Sequence, residues 1–425
     1  MSRVLCLCPT HRDYREIERL SGARHDTFYF HDYASLALEA LVAEEPPAGI
    51  QIPDAEAEIE RIVRYCRAAA IDCIVSTDDY PGSTLASIVA GILGLPGVDP
   101  AVNLLCQHKY HARRAQRAAV PDVTPAFELV DGRGVAAAPT ALTFPLFVKP
   151  VKSFFSVGAH RVDSPAEFLP AVRGATLPRA FFTPFATLLK KYSTLEMQGY
   201  VLAEALLEGQ QSTLEGYARQ GEIYVLGIVD SVMFPGTLCF QRFEYPSRLP
   251  APVQERMVTV AQELMAHIGY DDGCFNLEFI HDPTTDTLAT IEINPRMTSQ
   301  FADLFEKVDG FNSYNVLLDL AAGKSPSTAL REGKYARAAS CVLRTFEDQR
   351  VLQLPSAKDI EGVQKLYPDV RIEVLAQEGR RLSEELQDGR SYRYGIVSLG
   401  GHDDEDIRER LDNCLARLPF VLERA

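Results

Sequence analysis

The sequence lacks an excess of basic residues and any long apolar run, and each absence removes a class of function. Its 425 residues include 43 Lys and Arg against 58 Asp and Glu, for a formal net charge of −15. A nucleic-acid or anionic-membrane surface needs a basic face, so we expect neither partner. No segment offers ~18 uninterrupted apolar residues, and the first apolar run is too short for a secretion signal. We therefore expect a cytoplasmic protein.

The sequence also lacks the usual motifs of metal, disulfide and phosphate-loop sites. Its nine cysteines are scattered without a C-x-x-C pair, which predicts buried, reduced thiols instead of a disulfide framework or a zinc site. No H-E-x-x-H is present, and no G-x-G-x-x-G follows the first apolar run. A GKS triplet at 323–325 has Leu318 where a phosphate loop needs glycine.

The first hundred residues contain alternating strand and helix patterns. VLCLC and DCIVSTDD are apolar runs typical of buried strands, and PDAEAEIERIVRYCRAAA between them has a helical pattern. This order predicts a βαβ unit, and so an open parallel sheet. The length of the chain and its 46% hydrophobic content indicate about three domains, at about one per ~150 residues.

Two lysines lie on predicted regular elements in the next part of the chain. NLLCQHKYHARRAQRAA predicts one basic helix that carries Lys109, with His108 and His111 on its surface. FPLFVKP predicts a short strand that carries Lys149, and SVGAHRV its returning partner. Both lysines could hold phosphate, although a single lysine in an acidic chain is more often a plain surface residue.

A predicted hairpin gathers acidic and amide side chains. CFNLEFI and LATIEIN are separated by the polar loop HDPTTDT, which predicts antiparallel pairing. Alternation puts Asn276 and Glu278 on one face of the first strand, and Glu292 and Asn294 on one face of the second. If the faces coincide, two carboxylates and an amide oxygen converge, which favours magnesium or manganese. The alternative is a solvated strand face.

These segments together resemble a known family. The helix lysine, FVKP, VLAEALLEG, NLEF and EINPR occur in the order typical of the ATP-grasp superfamily, and the chain is similar to its carboxylate–amine ligases, such as L-amino acid ligases. The tail MTSQFADLFEKVDG is also similar to the carbamoyl-phosphate synthetase and biotin carboxylase branch. The resemblance covers nearly the whole chain and implies an ATP-grasp fold of mixed α/β and α+β type.

The resemblance also implies a division into four parts. The predicted parts are a pre-ATP-grasp, Rossmann-like open parallel sheet at 1–105, the first part of the ATP-grasp domain with its lid subdomain at 106–198, the catalytic subdomain at 199–333, and a small C-terminal α+β domain at 334–425.

By the same resemblance, several residues would bind ATP. Lys109 and Lys149 would contact its phosphates, and Glu204, Ala205 and Leu206 would form the hinge that holds adenine. In this family the loop after the strand lysine is often rich in glycine, whereas here it is VKSFFSVG. The part that this loop plays is therefore left open.

Two positions are candidates for holding the ribose. The family often has an acid soon after the hinge glycine, but this chain has glutamines there, so Gln211 or Glu215 is expected to take that place. The loop after YVLGIVDS would lie near the acceptor, where Arg242 is a candidate carboxylate anchor or an ordinary ion-pair partner. The aromatic insertion at 179–193 would cap the pocket or pack against a lobe.

The resemblance implies the metal ligands and the catalytic residues as well. Glu278, Glu292 and Asn294 would bind two magnesium ions, or manganese, while Arg296 would stabilise the transferred phosphoryl group or the tetrahedral adduct, and would also contact the substrate. With Lys149, Arg296 forms the predicted catalytic set. Phosphoryl transfer depends on charge stabilisation more than on covalent catalysis.

The implied activity is ATP-dependent formation of an amide bond through an acyl phosphate, with release of ADP and phosphate. The expected partners are small-molecule carboxylate and amine substrates, and a homodimer is left open. Two alternatives remain: an enzyme that phosphorylates bicarbonate, as in the carboxylase and carbamoyl-phosphate synthetase branch, and an ATP-binding module without turnover.

Overall fold

The computed structural model describes residues 2–33, 35–42, 49–131, 139, 141–154, 157–384, 387 and 391–424. Its first elements are β1 (Arg3–Leu7), α1 (His11–Arg24), β2 (Thr27–His31), α2 (Ser35–Leu41), α3 (Ala55–Ala68), β3 (Cys73–Val75), α4 (Gly82–Leu93) and α5 (Pro100–Gln107). The three strands are parallel in the order β2-β1-β3, which confirms the predicted open sheet. Strand β2 was not predicted, because TFYFH is short and only partly buried.

The loop after β3 carries the acidic residues of STDD to the carboxyl edge of this sheet, where ligands of open parallel sheets usually bind. Thr77 donates its hydroxyl to Asp13 of α1 at 2.7 Å. Asp78 accepts the Gly82 N–H at the start of α4 at 2.6 Å. These two contacts fix the loop, and Asp79 lies beside the second sheet described below.

The predicted basic helix over 103–119 is in fact two helices, because His108 has an extended backbone with φ −97° and ψ 100°. Helix α6 (Lys109–Ala119) begins one residue later, and the Lys109 N–H donates to the Val151 carbonyl at 2.8 Å. His108 and His111 are buried, not exposed as predicted, and their rings lie 4.4 Å apart. The break therefore places Lys109 at a helix start, inside the molecule.

A second sheet follows, and it has four antiparallel strands in the order β4-β7-β5-β6. The elements of this part are β4 (Phe127–Val130), β5 (Leu146–Pro150), β6 (His160–Val162), α7 (Pro165–Ala175), α8 (Arg179–Tyr192) and β7 (Val201–Ala205). Strand β5 contains Lys149 and pairs with β6, as FPLFVKP and SVGAHRV predicted. A 3-10 turn at Pro121–Val123 precedes β4.

Helix α8 corresponds to the aromatic insertion, and its apolar side packs against the first part of the chain. Phe181, Phe185 and Leu189 are fully buried in a core that includes Leu85 and Ile88 of α4. Apolar burial of this size is the main force that holds such elements together. Of the two predicted roles of the insertion, packing against a neighbouring lobe is therefore the one that the structure shows.

The remaining elements form mainly one large sheet. They are β8 (Gln210–Arg219), β9 (Glu222–Met233), β10 (Phe240–Tyr245), α9 (Ala251–His267), β11 (Gly273–Asp282), β12 (Thr287–Asn294), α10 (Ala302–Val308), α11 (Ser313–Ala321), β13 (Arg337–Thr345), β14 (Gln349–Gln353), α12 (Ala357–Leu366), β15 (Arg371–Val374), β16 (Tyr392–Gly401), α13 (Asp404–Leu415) and β17 (Val421–Arg424). Its eight strands have the order β12-β11-β8-β9-β10-β13-β16-β15, so the last part of the chain extends the sheet. Strands β14 and β17 pair separately.

The nine cysteines are all buried and form no disulfide among the described residues, as predicted. Among the helices of the described part, none combines the length and apolar character needed to cross a membrane. Two short 3-10 turns, Ser299–Phe301 and Leu382–Glu384, complete the regular structure of the described residues.

Candidate active site

The predicted hairpin forms, and its register brings the acidic and amide residues face to face. Glu278 of β11 lies directly opposite Glu292 of β12, and Asn276 lies opposite Asn294. Directly paired residues project to the same side of a sheet, with Cβ atoms about 5 Å apart. The sequence pattern therefore predicted the shared face correctly.

Glu278 and Glu292 differ in their partners. Glu278 accepts hydrogen bonds from Gln211 Nε2 at 2.9 Å and from Asn294 Nδ2 at 3.1 Å. Burial and the nearby charge of Glu292 raise the pKa of Glu278 to about 7. The Glu292 carboxylate lies 3.1 Å from the Lys109 ammonium. Burial favours a higher pKa for Glu292 too, but the charges of Lys109 and Lys149 outweigh it and hold that pKa below its usual value.

This group of side chains fits a magnesium ion. The two carboxylates face each other across the strand pair; Lys109 contacts Glu292, whereas Glu278 accepts hydrogen bonds from two side-chain amides. Asn294 adds an amide oxygen, and hard cations prefer such oxygen ligands. In the described part of the chain, no group of three or more His, Cys, Asp or Glu side chains is arranged to hold a metal, so the candidate set is two acids and an amide.

Lys149 and Glu204 lie at the centre of a second charged group. Glu204 of β7 accepts from Arg113 Nε, and its other oxygen lies 2.6 Å from the Lys149 ammonium. All three side chains are buried, and the two cations outweigh the cost of burial and hold the pKa of Glu204 at about 2. The Arg113 guanidinium also donates to the Ile291 carbonyl of β12 at 2.7 Å, so this group joins both sheets.

The segment predicted to hold adenine lies at the end of β7. The strand ends at Ala205, whose N–H donates to the Ala126 carbonyl at 2.9 Å, and Leu206 follows outside the strand. The Glu204 side chain is taken by its two cations, so an adenine ring would have to use backbone groups of this segment. Such use of backbone groups is common in small-molecule sites.

The two ribose candidates occupy different surroundings. Glu215 is almost fully buried, and its carboxylate accepts the Thr298 N–H, just after Arg296. Burial raises the pKa of Glu215 to about 8. Gln211 is partly exposed and bonded to Glu278. Glu215 therefore braces the chain after β12, and Gln211 is the more accessible of the two.

The structure treats the two predicted substrate arginines differently. Arg296 Nε lies 3.6 Å from Asp79, which lines the cleft together with Glu292. One row of paired residues crosses the sheet on the same side as Glu278, and it contains Gln211, Ser231 and Phe243. Arg242 is the next residue to Phe243 and so projects from the opposite side. There it is paired with Glu244 at 2.6 Å, and it is not brought to the cleft.

Three charged residues of the cleft were missed as site candidates in the sequence. Asp79, Arg113 and Lys152 line it together with the predicted residues. Arg113 lies four residues after Lys109, so the helical spacing already placed both on one face. Asp79 stands at the end of a predicted parallel strand, which is a usual ligand position. Lys152 lies in the loop VKSFFSVG, whose part in the site the sequence analysis leaves open.

Residues 142–304 match the family model described as ATP-grasp domain. A search of curated proteins gives no match. Among solved structures, an L-amino acid ligase from Bacillus licheniformis is similar over 99% of this chain and 98% of its own, with 17% identity and a TM-score of 0.72.

Two further solved structures are similar along the chain. Phosphoribosylglycinamide synthetase from Anaerococcus prevotii matches 99% of this chain and 100% of its own, with 13% identity and a TM-score of 0.66. The biotin carboxylase domain of 2-oxoglutarate carboxylase from Hydrogenobacter thermophilus matches 99% and 91%, with 14% identity and a TM-score of 0.68. At these identities the likeness concerns the fold. Residues 142–304 therefore contain an ATP-grasp domain, and the chain as a whole has the predicted ATP-grasp fold.

Proposed function

We propose that this protein is an ATP-dependent carboxylate–amine ligase that forms an amide bond through an acyl phosphate. The observation that carries the proposal is the arrangement around one cleft. Glu278 and Glu292 face each other on β11 and β12, Lys109 and Lys149 line the cleft together with Glu292, and Arg296 lies 3.6 Å from Asp79 of the same cleft. Fixed cations opposite paired carboxylates suit phosphoryl transfer, which depends on positioning and charge stabilisation.

Glu278, Glu292 and Asn294 would hold magnesium, with manganese as the other candidate. When bound, the metal neutralises phosphate charge. Lys109 now neutralises Glu292, so it would be released to contact phosphate once the carboxylates bind a cation. Lys149 keeps Glu204 as a fixed partner and would contribute its remaining N–H donors to phosphate. Gln211 would be the ribose contact.

The proposed reaction has two steps. A carboxylate oxygen of the substrate attacks the γ-phosphorus of ATP, the bond from that phosphorus to the bridging oxygen breaks, and ADP leaves. The amine nitrogen then attacks the acyl carbon, the carbon–oxygen bond to the phosphoryl group breaks, and phosphate leaves while the nitrogen loses a proton. Arg296 would balance the charge on the reacting oxygens in both steps. No side-chain nucleophile is needed.

The solved relatives support this proposal at the level of the class of reaction. The L-amino acid ligase is similar along nearly its entire length. The carboxylase domain was solved with MgADP and bicarbonate, which supports ATP and magnesium for this chain. The same relative supports a second candidate, in which bicarbonate is the carboxylate that is phosphorylated. A third, a nucleotide-binding module without turnover, is the alternative to both.

One assay separates these candidates. ADP and phosphate release would be measured with MgATP and pooled amino acids, other small carboxylates and amines, and separately with bicarbonate. Release that requires both a carboxylate and an amine, with a condensed product by mass spectrometry, would support the ligase. Release with bicarbonate alone would support the second candidate. MgATP binding without release in any pool would leave the binding module.

A further inference from the structure

Lys152, in the loop after β5, is buried to a degree that is unusual for a lysine. Its side chain is 1% exposed, and its ammonium lies 2.9 Å from Asp79 Oδ2. It also donates to Gln107 Oε1, at the end of α5, and lies 5.0 Å from the centre of the Tyr80 ring. Burying a charged lysine has a large desolvation cost, so such lysines are found most often where the charge has a function.

The loop that carries Lys152 is held by packing. The Val151 N–H donates to the Tyr200 carbonyl at 2.9 Å, and Ser153 Oγ donates to the Val157 carbonyl at 2.7 Å. The Phe154 ring lies 5.6 Å from the ring of Phe181 on α8. Residues 155 and 156 lie outside the described part of the chain. The scarcity of glycine in VKSFFSVG, which has only Gly158 at its end, therefore fits the packing of Phe154 against α8.

Asp79 connects this loop with the catalytic strands. One of its oxygens faces Lys152, and the other lies 3.6 Å from Arg296 Nε. Two cations thus share a single carboxylate, and positive charge is left over on the side of the cleft that also contains Lys109 and Glu292. The cations outweigh burial and keep the pKa of Asp79 below its usual value, so it stays charged. An anion is the ligand that such a group would attract.

Lys152 has a donor left for that anion. An ammonium group carries three N–H donors, and Asp79 and Gln107 use two of them. Lys307 on α10 offers a comparison, since it is also buried and paired with an aspartate, Asp303. That second pair lies within one helix, and neither member lines the cleft around Lys109. The two pairs are chemically alike, but only the first faces the site.

We propose that Lys152 is a catalytic cation that contacts the transferred phosphoryl group, and that Asp79 is the positioning residue that aims Lys152 and Arg296 at it. The inference rests on the proposed function, because it needs a phosphoryl group in the cleft. It assigns the first part of the chain a positioning role in the chemistry, since Asp79 follows β3 while Lys152 and Arg296 follow β5 and β12 of the other two sheets.

The test measures binding of ADP with magnesium, in the presence and absence of aluminium fluoride, by isothermal titration calorimetry. Aluminium fluoride mimics the transferred phosphoryl group, so the increase in affinity that it causes reports on that position alone. For K152M we expect ADP affinity within about threefold of the natural protein, and a loss of about 10²-fold in the aluminium fluoride increment. K152R should keep the larger part of the increment, because it keeps the charge.

D79N should reduce the increment less than K152M does, and the double variant should resemble K152M, because the two residues act as one unit. The matched control is K307M, which should lose stability but keep the increment. A K152M protein that keeps the full increment would overturn the inference. So would a K152M protein that loses ADP affinity and thermal stability to the same extent as K307M with no separate loss of increment. If the natural protein itself shows no increment, the proposed function fails instead.

Discussion

Two groups of buried charge lie in the same cleft, and they differ in how completely the protein itself neutralises them. Glu204 is enclosed between Arg113 and Lys149, and its pKa lies at about 2. Glu278 and Glu292 face each other with Lys109 beside them, and the pKa of Glu278 lies at about 7. The first group is complete without a ligand. In the second, Lys109 is paired with Glu292, and the repulsion between Glu292 and Glu278 remains.

The difference separates residues that stabilise the fold around the cleft from residues that bind ligands in it. A carboxylate that is satisfied by buried cations contributes mainly to stability, and removing it leaves uncompensated charge. A pair of carboxylates that repel each other lowers the stability of the ligand-free protein and is useful only when a cation binds. Variants of the two groups should therefore change different properties.

The largest effect is expected for E292Q. The change removes one of the paired negative charges but keeps the shape of the side chain, so turnover should fall by about 10³-fold while folding is retained. The measurement is ADP release with MgATP and the substrates found in the assay above. Thermal unfolding of both proteins, with and without MgADP, gives the control, since only the natural protein should gain stability from the metal nucleotide.

If E292Q keeps full turnover, the assignment of the second group as a metal site is wrong. If it unfolds as readily as a variant of the first group, the comparison itself fails, because the two groups would then both be structural.

The next effect is expected for E204Q, which belongs to the complete group. Arg113 and Lys149 would be left buried without their anion, which costs about 3–5 kcal/mol. Urea denaturation followed by circular dichroism would measure the loss. The lowered pKa also sets a pH dependence. Ionised Glu204 stabilises the folded protein fully above pH 4.5, the pKa of this group in the unfolded chain, and the stabilisation is lost as the pH falls toward about 2. E204Q should lack that part of the acid dependence. A midpoint equal to that of the natural protein would contradict this reading.

These two groups also show what the sequence could and could not predict. The hairpin of Glu278 and Glu292 was predicted because alternation, a polar loop and a proline at the strand end are all local signals. The pairing of Glu204 with Arg113 was not predicted, because the two residues are 91 positions apart and nothing local joins them. The order of the motifs predicted the ATP-grasp fold, whereas the contacts between sheets could be seen only in the structure.

The break at His108 gives a second example. Nothing in NLLCQHKYHARRAQRAA disfavours a continuous helix, and its basic residues suggested an exposed surface. The buried rings of His108 and Phe185, 6.1 Å apart, show that α8 packs there. The extended residue then turns α6 so that Lys109 reaches Glu292. Tertiary packing thus overrode the local preference, and it decided where the lysine of the site lies.

A smaller effect, opposite in sign, is expected for E278Q. The raised pKa means that folded Glu278 holds a proton more tightly than the unfolded chain does, so the natural protein loses stability as the pH rises from 4.5 to about 7. E278Q removes the repulsion and should be the more stable protein at pH 8 without metal, by on the order of 1 kcal/mol for each unit of pKa shift. It should also lose the stabilisation by MgADP. Urea denaturation at pH 5 and pH 8 measures the difference, and a natural protein that gains stability over this range would contradict it.

The smallest effect is expected for R242A, which tests whether position on the sheet decides function. Arg242 is as basic as Arg296 and lies on β10 of the large sheet, but it projects from the other side, is itself partly exposed and is paired with Glu244 at 2.6 Å. Partly exposed pairs of this kind contribute at most about 1 kcal/mol. Turnover and the KM for each substrate should stay within about twofold, whereas R296A should lose most of the activity. A selective rise in the KM for the carboxylate in R242A would show that Arg242 of β10 reaches the substrate during turnover. In that case the side of the sheet would not be the feature that separates working charges from structural ones.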